Sequence, residues 1–139
     1  ILHFGKVDPK LYKQYRDNVE IECRMIAATK PGVALNVPLQ TAINAYRQLG
    51  YGDEWQFHHQ GGPMGYLARE IRVTKANQEK VLENQAFCWN PSIAGTKSED
   101  GFIATNQGPL MISKPVVFPV IQCEVDGIHF RRPDLLQID

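Results

Sequence analysis

The spacing of the apolar residues changes once along the chain, near residue 50, and that change limits the fold more than any other feature. Before it, Leu11, Tyr12, Tyr15, Val19, Cys23 and Ile26 recur at helical spacing, with Glu22 the one polar residue on the stripe. Lys13, Arg16, Asp17, Glu20 and Arg24 fill the outer face. Asp8 can cap the first free N–H groups, and Pro9 suits the first helical position, where its missing N–H would be unpaired anyway. A helix is therefore predicted from Asp8-Pro9 to about Lys30, where Pro31-Gly32 stops it. A second helix, from Pro38 to Leu49, carries a stripe of Leu39, Ala42, Ile43, Tyr46 and Leu49 and ends at Gly50 and Gly52.

From Trp55 onward the pattern is one of strands and turns. Trp55 to His59 alternates weakly, and Gly61-Gly62-Pro63 reads as a loop. Extended segments are predicted at Tyr66 to Val73, Gln85 to Trp89, Asp100 to Thr105 and Leu110 to Ser113. Val116 to Cys123 is a further strand, placed at an edge or a bulge by Pro119. Asn106-Gln107-Gly108 and Asp126-Gly127 are hairpin signals. Two helices followed by antiparallel strands is an α+β arrangement, and 139 residues fit one domain, 1–139. The apolar opening Ile1-Leu2-His3-Phe4 reads as the tail of a strand whose partners lie upstream, so the chain is expected to be part of something longer.

Formal net charge is zero, which gives no footing for nucleic acid or an anionic membrane surface as a partner. No apolar run approaches the ~20 residues of a membrane span. Cys23, Cys88 and Cys123 are too few and too scattered for a disulfide framework or a zinc site. Reduced, buried thiols in a cytoplasmic protein are the expectation.

Two segments carry chemistry. In 58–70, His58 and His59 precede a glycine-rich loop, and either imidazole could be a base or a metal ligand. Adjacent residues on a strand face opposite ways, so at most one would face a given pocket. In 90–100, Glu99 and Asp100 open an apolar strand. Trp55 and Trp89 are candidate cleft walls, with core packing the more ordinary role for both.

In this order the segments resemble the pita-bread metallopeptidases, the group of Xaa-Pro aminopeptidase, prolidase, methionine aminopeptidase and creatinase. Gly62-Pro63-Met64-Gly65 with Arg69-Glu70 resembles the family's His-Gly-x-Gly…His-Glu segment. Asn90-Pro91-Ser92 resembles Glu-Pro-Gly, and Gly95 to Asp100 resembles Gly…Glu-Asp. Ala27 to Gly32 resembles the family's helix end at Lys-Pro-Gly. The resemblance spans about residues 1–113 and implies a partial pita-bread fold, two N-terminal helices followed by a mostly antiparallel sheet.

The resemblance also implies a pair of metals held by two Asp, one His and two Glu. The two Asp would lie upstream of Ile1. Counting from Glu70, the His position falls on Gly62; a two-residue shift would put it on His59 instead. The substrate-facing His becomes Arg69, the first Glu becomes Asn90, and only Glu99 is kept. Two divalent charges need anionic oxygen ligands, so the paired site is expected to be degraded.

Three functions follow from the resemblance. The first is a metal-free hydrolase, or a homologue that binds a small peptide or another small carboxylate-bearing molecule. His58 or His59 would be its base, and Arg69 and Asn90 would meet the ligand. The second is an active aminopeptidase whose manganese, cobalt or zinc is held by His59, Glu99 and upstream residues. The third is a non-catalytic interaction module. Exposed strand edges also predict self-pairing into a homodimer.

Overall fold

The computed structural model describes residues Ile1–Asp139. Strand β1 (Leu2–Phe4) leads into helices α1 (Pro9–Ala28) and α2 (Asn36–Gln48). A single 3-10 turn, Glu54–Gln56, replaces the extended stretch expected around Trp55. Strands β2 (Gly61–Pro63), β3 (Gln85–Trp89), β4 (Ser92–Ile93), β5 (Thr96–Lys97), β6 (Asp100–Thr105) and β7 (Gly108–Met111) follow. The chain finishes with β8 (Val120–Val125), β9 (Ile128–Pro133) and β10 (Leu136–Ile138).

Helix α1 starts where its sequence says it should. The Asp8 carboxylate accepts from the backbone of Lys10 at 2.6 Å and of Leu11 at 3.4 Å. It stops at Ala28, short of Lys30, because Thr29 tightens the last turn and donates its hydroxyl to the Met25 carbonyl at 2.7 Å. The Trp89 indole N–H in turn donates to the Thr29 hydroxyl at 2.9 Å, tying the helix end to β3. Helix α2 begins at Asn36, two residues before Pro38, without a side-chain cap. The carbonyls of Asn77 and Glu79 accept from the backbone N–H groups of Asn36 and Leu35 instead. That cap is tertiary, so no local signal could announce it.

Strands β2-β3-β6-β7 form one antiparallel sheet. Helices α1 and α2, the aromatic stack Phe87–Phe102 (5.7 Å) and Trp89 build the core with this sheet. Gly61-Gly62-Pro63 is therefore a strand, not a loop. A Cβ at Gly61 would stand 2.3 Å from the Cys88 carbonyl oxygen, and one at Gly62 only 2.1 Å from that of Ile71. Only glycine lets three backbones approach this closely. Tyr66 to Val73, expected to be extended, is a series of bends. Its backbone hydrogen bonds to β2 come only from the N–H groups of Glu70 and Val73, too sparse a pattern for a ladder.

Strands β8 and β9 form a separate hairpin against α1. Asp126 (φ 51°) and Gly127 (φ 76°) supply the two left-handed residues of its turn. Pairing starts at Val120, immediately after Pro119, later than the Val116 expected. The apolar opening is strand β1, and its partner is β10 at the far end of this chain: the two run parallel, with Leu2 opposite Leu136. No helix is long and apolar enough to cross a membrane.

Glu22, the polar exception in the α1 stripe, is fully buried. Its carboxylate accepts from the Ser98 hydroxyl, from the Asp100 N–H at 2.7 Å and from Arg132 at 2.5 Å. Arg132 also reaches Asp100 at 2.6 Å. Burial pushes the Glu22 carboxyl up to about 7, against the opposing pull of Arg132 and Ser98.

Candidate functional site

Strand alternation sends consecutive residues of 97–100 to opposite sides. Ser98 and Asp100 join the buried Glu22 cluster, while Lys97 and Glu99 face an open cleft. The cleft, about 460 Å³, brings together all five residues singled out in the sequence: His58, His59, Arg69, Asn90 and Glu99. It adds Lys97 and Arg72, to which the sequence reading gave no role. Lys97 was detectable: it lies two residues before Glu99 and so on the same face of an extended segment. Arg72 had no such signal, because it stands on irregular backbone.

Glu99 is the electrostatic centre of the cleft. One of its oxygens accepts from Arg69 at 2.7 Å and from the Cys88 thiol at 3.3 Å. The other meets the Lys97 ammonium at 2.6 Å. Partial burial alone would raise this carboxyl, but the hydrogen bonds from Lys97, Arg69 and Cys88 win and hold it at about 2. Burial, with the neighbouring carboxylate, pushes the Cys88 thiol up to about 12. Cys88 is therefore a donor here and not a thiolate. Arg69 is braced by its own loop, donating to the Ala68 carbonyl at 2.6 Å.

The two histidines stack, their ring centroids 4.4 Å apart, and both line this cleft, against the expectation that only one could. His58 lies in a bend and neither residue is in a strand, so their side chains do not alternate. Burial lowers the His59 imidazole, and the His58, Arg72, Arg69 and Lys97 charges lower it further, which favours the neutral ring. The Nδ1 atoms of both rings are buried without a hydrogen-bond partner, as is Oδ1 of Asn90. Gln60 fixes the backbone here: its side-chain amide donates to the carbonyls of Trp55 and His58, both at 2.9 Å, and its main-chain carbonyl accepts from the Asn90 N–H at 3.0 Å. No group of three or more His, Cys, Asp or Glu side chains in the chain is placed to hold a metal ion.

Solved structures share this architecture. The X-Pro aminopeptidase of Thermotoga maritima superposes with a TM-score of 0.74 at 16% identity, over 97% of this chain and 35% of that one. The Xaa-Pro dipeptidase of Bacillus anthracis gives 0.73 at 21% identity, again over 97% of this chain and 35% of that one. The fold is the pita-bread fold of these peptidases. In sequence, an uncharacterized peptidase of Staphylococcus aureus (strain MW2) is 27% identical over 113 residues, 77% of this chain. The chain spans about a third of the length of this relative, 32%. No protein-family model matches the chain.

Proposed function

We propose that the chain forms the cleft of a peptidase-like hydrolase homologue that works without metal and takes a small peptide or another small carboxylate-bearing molecule. The observation that carries this reading is the state of Glu99. It is the one acidic residue lining the cleft, and Arg69 and Lys97 already clasp it. The side chains present do not suit a pair of divalent cations. At the position matching the family's ligand histidine, Gly62 has no room for a side chain. At the position matching its first glutamate, Asn90 offers a neutral oxygen. With Arg69, Arg72 and Lys97 against a single carboxylate, the cleft is instead suited to an anion.

A carboxylate could replace Glu99 on the Arg69 fork, or share it, with the Asn90 amide beside it. His58 and His59 line the same cleft, and a neutral imidazole can take a proton from an attacking water. Burial and the surrounding positive charges favour that neutral form at His59. A second reading, a metal-dependent aminopeptidase completed by upstream residues, is favoured by the names of the solved neighbours.

Calorimetry on the full-length protein, with the residues upstream of Ile1 included, separates the two. Manganese, cobalt and zinc are expected to show no stoichiometric binding. N-acetylglycine is expected to bind, and to lose about tenfold in affinity in Arg69→Gln, a charge-assisted hydrogen bond being worth ~1.5–3 kcal/mol. Tight stoichiometric metal would overturn the metal-free cleft and put the aminopeptidase reading first.

A further inference from the structure

The anion cleft has a neighbour. A second cavity, about 550 Å³, adjoins it and shares His58, His59 and Arg72 as a common wall. Its open surface is mostly apolar: the half-buried Trp55 indole lines it above the buried Leu39 and Val73, and the Lys75 ammonium lies 4.5 Å from the indole centroid. The indole N–H is already spent on Asp53 at 3.2 Å, so Trp55 offers its ring and not a donor. The stacked histidines stand between a chamber lined mainly by charge and one whose open surface is mostly apolar with cations at its edge.

The charges of the two chambers together are one-sided. Arg69, Arg72, Lys75 and Lys97 line them, against Glu99 alone. Glu99 is already engaged by two of those cations and by Cys88. A free α-ammonium bound anywhere across the two chambers would meet cations and no available carboxylate, which costs binding. An amide nitrogen carries no charge and meets no such penalty.

We infer that the preferred ligand is an N-acylated amino acid: its carboxylate lies in the Arg69–Lys97 chamber, its apolar acyl group lies against Trp55, and the amide joining them passes the histidine pair. This rests on the carboxylate cleft proposed above and adds to it the second chamber and the exclusion of a free amine.

Four probes decide it by calorimetry on the full chain at neutral pH. N-benzoylglycine is expected to bind at least about tenfold tighter than N-benzoylglycinamide, N-acetylglycine or phenylalanylglycine, tenfold being 1.4 kcal/mol. Trp55→Ala should remove the preference over N-acetylglycine and leave N-acetylglycine binding in place. Equal binding of the acid and its amide would overturn the carboxylate cleft itself. Equal binding of N-benzoylglycine and N-acetylglycine would overturn the apolar chamber while leaving that cleft standing. Phenylalanylglycine binding as tightly as N-benzoylglycine would overturn the exclusion of the amine alone. The ligand series decides each point even if the Trp55 variant fails to fold.

Discussion

Two charge clusters sit on the two faces of one short segment, 97–100, and they behave oppositely. On the inner face, Ser98 and Asp100 join Glu22 and Arg132, both essentially without solvent contact. On the outer face, Lys97 and Glu99 join Arg69, with the Glu99 side chain 36% exposed. Inside, desolvation dominates and raises a carboxyl; outside, the partners dominate and lower one. The inner cluster fastens α1 to β6 and β9, whereas the outer one lies open to the cleft.

The largest test of this contrast is Arg132→Met against Lys97→Met. Breaking one side of a buried pair costs ~3–5 kcal/mol, whereas an exposed pair is worth ~0–1 kcal/mol. Urea denaturation should therefore show a large loss for the first variant and almost none for the second. Comparable losses would mean that the cleft pairs also hold the fold together.

Acidity should separate the clusters next. Glu99 is held at about 2, below its ordinary 4.5, so between those values the unfolded chain binds the extra proton. Its stabilising contribution is present above 4.5 and is lost as pH falls toward 2. Glu22 is raised from 4.5 to about 7, so the folded state holds the extra proton. Its contribution is present below 4.5 and is lost as pH rises through 7. Denaturation at several pH values should show a shallower acid-side slope in Glu99→Gln, and a shallower slope between 4.5 and 7 in Glu22→Gln. Unchanged slopes would remove the contrast.

The smallest effect concerns the imidazole. His59 should titrate below an ordinary histidine in an NMR pH series, and Arg72→Ala should move it partway back. A normal titration in the parent chain would mean that burial and the cleft cations do not reach the ring.

The helices were legible because their signals are local: a carboxylate cap, a proline in the first turn and an apolar stripe. The two hairpin turns were legible for the same reason. Gly61-Gly62-Pro63 was misread as a loop because glycine and proline ordinarily punctuate, and nothing local tells that two other backbones lie against them. The partner of β1 lies more than a hundred residues away, beyond the reach of any pattern. His58, His59, Arg69, Asn90 and Glu99, singled out from two separate segments of the sequence, line one cleft in the structure. Its net positive character was not legible, since it depends on Arg72 and Lys97 converging from segments with no shared period. Glu22 showed as an anomaly in its stripe, but its meaning needed Arg132, 110 residues on.

The crowding at Gly62 bears on which substitutions are open to this chain. A position with open space around it can acquire a side chain by a single codon change. Here the Ile71 carbonyl and the Val73 side chain stand against the position, and any side chain would have to displace them first. A side chain at this point would come at the cost of the backbone contacts of β2, so substitution elsewhere in the cleft is far more accessible to this chain than substitution here.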